Sequence, residues 1–113
     1  MVKQGSIIKL NLNPTIGHEQ AGSRPALVIS SALFTRATNL TLICPITNTD
    51  RKRPLHIKLN NLQTTGFVMI EQIRAVDLNG RKFKIIDFIS KDDFIKISNV
   101  IKSTVDLFED DFE

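Results

Sequence analysis

The chain has 113 residues, 42% of them hydrophobic and 24% charged, with a formal net charge of +3 and one cysteine. That suits one domain spanning residues 1–113, with a core of its own but small enough that a second subunit would help to bury surface. No apolar run approaches the roughly eighteen residues of a membrane span, and no basic start leads into an apolar stretch. A signal peptide and a membrane partner are therefore not expected, and Cys44 alone builds no disulfide framework, so the expected compartment is the cytoplasm.

Residues 7–12 partly alternate polar with apolar and stop at Asn13-Pro14, which predicts a half-buried strand followed by a loop. Next comes Gly17-His18-Glu19-Gln20-Ala21-Gly22-Ser23-Arg24-Pro25, a glycine-punctuated polar loop set directly against the apolar residues 26–29. Glycine lets a backbone approach a ligand closely, and the following strand fixes where Arg24 can point. A cation held at a strand edge suits phosphate. Residues 31–38 predict a short helical turn or a wide connection, and residues 40–46 a deeply buried strand in which Cys44 is an inert thiol.

Residues 55–59 alternate cleanly, and Asn60-Asn61 breaks the pattern. Residues 66–76 predict one long strand that must bend or bulge to stay paired. Asn79-Gly80 is the strongest hairpin signal in the chain, with residues 82–89 as the returning strand. Ser90 predicts an N-cap, with Asp93 three residues on. Phe94, Ile97, Val100, Ile101, Val105 and Phe108 then repeat at helical spacing, as in one terminal amphipathic helix. The order of elements predicts an α+β, mostly β fold: short strands wrapped into a small barrel that a helix closes on one side.

Charge is unevenly spread. Five of the twelve acidic residues, Asp106, Glu109, Asp110, Asp111 and Glu113, fall in residues 106–113, leaving fifteen basic against seven acidic residues, a net +8, before them. A basic body favours polyanionic partners. The acidic tail is expected either to be a solvated terminus or to compete internally for the anion site.

Gly5, residues 7–12, Asn13-Pro14-Thr15 and the run from Gly17 to Pro25 resemble the opening of the MazF/PemK-type toxins of bacterial toxin–antitoxin pairs. Pro45-Ile46-Thr47, behind a hydrophobic strand, resembles the second site motif of that family. Glu71-Gln72-Ile73-Arg74-Ala75-Val76-Asp77 resembles its third block. The resemblance implies an SH3-like barrel of the CcdB/PemK type, assembled as a homodimer. It also implies a metal-independent endoribonuclease that cuts single-stranded messenger RNA at a short sequence. The cut would leave a 2′,3′-cyclic or 3′-phosphate and a 5′-hydroxyl. The implied partner, besides RNA, is a MazE-like antitoxin whose acidic segment lies in a groove near the dimer interface.

Such a cleavage needs help in removing the 2′-hydroxyl proton, in stabilising charge on phosphorus and in the departure of the 5′-oxygen. Arg24, always charged and able to grip two phosphate oxygens, matches the family's catalytic arginine. Thr47 matches its catalytic threonine and can hold a scissile phosphate, although a loop threonine also bonds readily to its own backbone. His18 titrates near neutrality and could move a proton, but some members carry serine there. Glu19 could be a base or could orient the loop, and Gln20 and Thr49 are further candidate RNA contacts. Arg51, Lys52 and Arg53 form the expected phosphate-tracking run.

Some members have an arginine and an aspartate where this chain has Met69 and Glu71. The pattern here resembles the branch in which Glu71, Gln72 and Arg74 organise the sheet and the dimer contact, with Glu71 expected to pair with Arg74. There is no tryptophan or tyrosine, and Phe67, Phe83, Phe88 and Phe94 fall where burial is expected. Phe34, in the 31–38 connection, is the one other aromatic that exposure could reach, with core packing the expected fate. His18, His56, Asp50, Asp77 and Asp87 show no ligand spacing, so neither a metal nor a cofactor is expected. A rival reading is a gyrase poison of the CcdB type with the same fold. Those proteins use an apolar C-terminal end, whereas this chain ends in Asp-Leu-Phe-Glu-Asp-Asp-Phe-Glu.

Overall fold

A computed structural model describes residues 2–12 and 23–113 of the chain. Its strands are β1 (Ser6–Asn11), β2 (Ser23–Val28), β3 (Thr41–Thr47), β4 (His56–Lys58), β5 (Phe67–Met69), β6 (Arg74–Val76) and β7 (Phe83–Phe88). Two helices, α1 (Ala32–Thr38) and α2 (Lys91–Ser103), complete the regular structure with short 3-10 turns. The strands are antiparallel in the order β4-β5-β3-β2-β1-β7, and β6 pairs with the first half of β3. β3 can serve both neighbours because Thr41 to Ile43 face β6 while Ile46 and Thr47 face β5.

The mostly β, α+β class expected from the element order is present, but among the described residues no strand pairing joins β7 to β4 into a closed barrel. A loop makes the connection instead. The Asp87 carboxylate on β7 accepts the Thr64 N–H at 3.0 Å, from the connection that follows β4, and the Phe88 N–H at 2.9 Å. The Thr64 hydrogen bond is the main reason that the Asp87 carboxyl lies below its ordinary range. A lowered folded-state pKa means that this contribution is whole above the unfolded carboxylate pKa of about 3.9 and is lost as pH falls toward the folded value. The melting-temperature gap between the native chain and Asp87→Ala should therefore narrow as pH is taken from 7 toward 3, followed by circular dichroism.

Two apolar clusters lie on opposite faces of the sheet. Ile7, Leu27, Cys44, Ile46, Val68 and Ile70 form one with Ile97 of α2, and Ile8, Leu10, Ala26, Val28, Ile43 and Val76 form the other. β1 contributes to both, so its interior is buried on two sides, where the partial alternation predicted only one. This central placement is what a strand with neighbours on both edges requires.

The predicted long strand over 66–76 is broken into β5 and β6 by a 3-10 turn at Ile70–Gln72, as its need to bend implied. Asn79-Gly80 does not close a hairpin. β6 and β7 pair with β3 and β1 respectively, and neither Asn79 nor Gly80 takes the positive φ that a two-residue hairpin turn demands. Asp77 instead accepts the Asn79 N–H at 2.9 Å and starts a 3-10 turn.

Ser90 caps α2 as predicted, accepting the Asp93 N–H at 3.1 Å. The helix ends at Ser103, however, leaving Val105 83% and Phe108 60% exposed. Ser103 and Thr104 turn their hydroxyls onto the carbonyls of Val100 and Ile101, and the acids that follow oppose the negative end of the helix dipole. Phe83 and Phe88, expected inside, are also partly exposed, at the edge of the sheet where no further strand covers them.

Candidate active site

Register brings the two leading candidates together. β2 pairs with β3 as Val28 with Ile43, Leu27 with Cys44 and Ala26 with Pro45. The paired residues end at Ala26 and Pro45, and extending their register by two positions would set Arg24 opposite Thr47, on the face that Ala26 and Pro45 share. Around them Arg24 pairs with Leu10, Thr47 with Phe67, and Phe67 with Lys58. Directly opposed side chains in a sheet stand about 5 Å apart, so one row carries a guanidinium, a hydroxyl and an ammonium. Lys58 was not among the sequence candidates. Its signal was the alternation of residues 55–59, which sends His56 and Lys58 to the same face.

Thr47 is buried, and its Oγ1 accepts the Thr49 N–H at 3.2 Å. The local backbone bond foreseen as the alternative role is therefore present. It occupies an oxygen lone pair and leaves the hydroxyl proton available for donation. The strand around it is held from beneath by the connection between β4 and β5. Thr65 Oγ1 donates to Asn48 Oδ1 at 3.0 Å, and the Leu59 N–H is bonded to the Gly66 carbonyl at 2.9 Å. Gly66, at φ +127°, passes so close that a Cβ there would stand 2.7 Å from the Thr47 carbonyl oxygen. Only glycine fits this approach.

The basic run is placed beside Thr47 by its own turn. Asp50 Oδ1 accepts the Lys52 N–H at 2.8 Å, supporting the positive φ of Lys52. Arg51, Lys52 and Thr49 are exposed. Arg53 differs, because its guanidinium stands 3.7 Å from Glu71 Oε2. The same Glu71 oxygen lies 2.6 Å from His56 Nε2, on an imidazole whose side chain is 2% exposed. Glu71 is therefore engaged with His56 and Arg53, and not with Arg74 as the sequence suggested. Arg74 donates to the Leu12 carbonyl at 3.4 Å.

The reason is local. His56 pairs across the sheet with Met69, and the 3-10 turn immediately after β5 carries Glu71 to the His56 side. The other ring nitrogen of His56, Nδ1, is buried without a hydrogen-bond partner among the described residues. Sequence reasoning weighed His56 only as a metal ligand, because the partner that explains it is fifteen positions away.

Burial pushes the Cys44 thiol up to about 12, helped by the negative charge of Glu71, so it stays protonated and is no nucleophile at neutral pH. Gln72 lies half-buried in the 3-10 turn. Phe34 and Phe67 are half-buried, whereas Phe83, which pairs with Leu10 at the end of the row, is 37% exposed. His18, Glu19 and Gln20 lie outside the described residues. Among the described residues no helix is long and apolar enough to cross a membrane.

Comparisons with known proteins converge. Residues 3–105 match the family described as PemK-like, MazF-like toxin of type II toxin–antitoxin system. Endoribonuclease PemK of Escherichia coli is 36% identical over 85 residues, covering 71% of this chain and 64% of that relative, so the match spans less than two thirds of its length. The crystal structure of MazF from Deinococcus radiodurans superposes with a TM-score of 0.83 at 30% identity, over 92% of this chain and 96% of that one. A MazE–MazF crystal structure from the same organism gives 0.78 at 30% identity, over 92% and 95%. The endoribonuclease reading is thereby favoured over the gyrase-binding one. With the three sequence blocks, the fold and the Arg24–Thr47 row in place, the chain belongs to the MazF/PemK family of type II toxins.

Proposed function

We infer that the protein is the toxin of a type II toxin–antitoxin pair and a sequence-specific endoribonuclease acting on single-stranded RNA. The observation that carries this reading is the placement of Arg24 and Thr47 at the same end of paired strands and on one face. The relatives' names support it. In the reaction the 2′-hydroxyl attacks the adjacent phosphorus, a bond forms to phosphorus, the bond to the 5′-oxygen breaks, and the departing oxygen takes up a proton from water to become the 5′-hydroxyl. Arg24 grips the extra charge on the phosphorane oxygens. Thr47 donates its hydroxyl proton in a hydrogen bond that holds the phosphate in line.

Lys58, Arg51 and Lys52 track the neighbouring phosphates, with Thr49 as a further contact. Arg53 is held back by Glu71 and positions the loop. His18 or Glu19 removes the 2′-proton, Gln20 contacts RNA, and no metal takes part. The working form is a cytoplasmic homodimer to which Glu71, Gln72 and Arg74 contribute contact residues. Its inhibitor is a MazE-like antitoxin that lays an acidic segment over the same cations.

Incubation with a long unstructured RNA in excess chelator, followed by mapping of the ends, tests this reading. Expected are cuts at one short sequence, with 5′-hydroxyl and 2′,3′-cyclic or 3′-phosphate ends. Uncut RNA, or 5′-phosphate ends, would contradict it.

A further inference from the structure

The proposed reaction leaves one buried ionisable cluster without a task. The strand pairings put His56 and Met69 in the row next to Lys58 and Phe67, so His56 lies on the face that carries Thr47, about 7 Å along β4 from Lys58. The His56 side chain is 2% exposed, and its Nε2 stands 2.6 Å from Glu71 Oε2. Arg53 Nη1 approaches that same oxygen at 3.7 Å. Arg53 is tied to the unit through its main chain as well, since its carbonyl accepts the His56 N–H at 3.1 Å. A carboxylate beside a face that is to bind phosphates opposes that binding, and its presence there calls for a reason.

The two partners do different things for Glu71. Nδ1 of His56 is buried without an acceptor among the described residues, a pattern that assigns the tautomer with its proton on Nε2 and a bare lone pair on Nδ1. His56 therefore gives Glu71 a hydrogen bond that fixes it, and Arg53 gives it the opposing charge. The turn that carries Glu71 is itself pinned, because Ile70 is buried and its N–H is bonded to the Leu55 carbonyl at 3.0 Å. After burial itself, the Glu71 charge is the second cause that raises the Cys44 thiol on β3, so that charge acts through the protein, where water screens it little.

We propose that Glu71, anchored by the buried His56, is a brake on RNA binding: its carboxylate holds the Arg53 guanidinium back from the phosphates and so limits how many cations the face offers. The inference rests on the reading of that face as the one that binds RNA. A further cation gripping substrate and product alike would lower KM without speeding the chemical step, and would delay release of the cut strand. Glu71 is thus a positioning residue that acts through Arg53.

The test measures binding of a short unstructured 2′-O-methyl RNA, which carries the phosphates but lacks the attacking hydroxyl. Fluorescence anisotropy over a series of salt concentrations would compare four full-length forms shown to be folded: native, Glu71→Gln, Arg53→Gln and the double variant. Glu71→Gln keeps the size of the side chain and an acceptor for the His56 Nε2–H. It should tighten binding about threefold to tenfold at low salt and steepen the slope of log K against log salt by about 0.7, the mark of one more phosphate contact on a single strand. Arg53→Gln should change little in the native background and cancel the whole gain in the Glu71→Gln background. Glu71→Asp, which keeps the charge but draws it back from Arg53, should give part of the same gain. A gain that survives in the double variant would make Glu71 a mere negative charge and overturn the brake, as would unchanged or weaker binding in Glu71→Gln. A slower single-turnover cleavage by Glu71→Gln at saturating RNA would also overturn it, by placing Glu71 in the chemistry. Binding by none of the forms would overturn the RNA reading together with the brake.

Discussion

Replacing Arg24 with alanine should lower kcat/KM for RNA cleavage by about 10²–10³-fold, the usual loss when a preorganised donor to a developing oxyanion is removed. Arg24 is half-buried in β2, where its backbone pairs with Leu10. Lysine at the same position keeps the charge but not the planar fork, and should recover only part of the loss. Thermal melting should show both variants folded. A near-native rate in Arg24→Ala would remove the residue from the chemistry altogether.

Gly66→Ala should be the most damaging small substitution outside the row of Arg24 and Thr47. At φ +127° an alanine carries backbone strain of about 1–3 kcal/mol. Its Cβ would in addition meet the Thr47 carbonyl oxygen at 2.7 Å, the Ile46 Cγ2 at 3.0 Å and the Thr47 carbonyl carbon at 3.1 Å. Two of these three contacts are backbone, which cannot rotate away. The melting temperature should fall by roughly 10 °C or more for a domain of this size. Because the relief available is displacement of Thr47, activity should fall by about 10²-fold even at temperatures where the variant is folded.

Gly80 supplies the contrast. A Cβ there meets nothing within 4 Å and its φ is ordinary. Gly80→Ala should leave activity unchanged and stability equal or slightly raised, through the stiffer unfolded chain. Equal effects at the two glycines would refute the claim that the β4–β5 connection braces Thr47.

The strands were legible wherever apolar residues alternated or ran together between turn signals, as at residues 40–46 and 82–89. The capped start of α2 was legible for the same kind of reason, since Ser90 and its bond to the Asp93 N–H are local. The end of α2 was not. The helical spacing continues through Val105 and Phe108, but the hydroxyls of Ser103 and Thr104 and the acids beyond them stop the helix first. Asn79-Gly80 misled in a similar way, because Asp77 offers a side-chain acceptor that diverts the backbone into a 3-10 turn.

In the candidate site, Arg24 and Thr47 were proposed from motif and residue type. What joins them is the β2–β3 register, which no local pattern states. The partner of Glu71 was missed because Arg74 is near in sequence while His56 is near only after β4 pairs with β5. Gly66 carried no signal at all beyond being a glycine at the end of a loop. Its role depends on a backbone nineteen positions away.

The central claim is that Arg24 and Thr47 act on one phosphate, and a double-mutant cycle tests it most directly. Cleavage of a single defined RNA would be measured for the native chain, Arg24→Ala, Thr47→Val and the double variant, each shown to be folded. Residues that act as a unit on one transition state lose activity non-additively, so the double variant should be about as slow as the worse single one. Losses that multiply in full would mean that the two residues act independently, and would contradict the shared site.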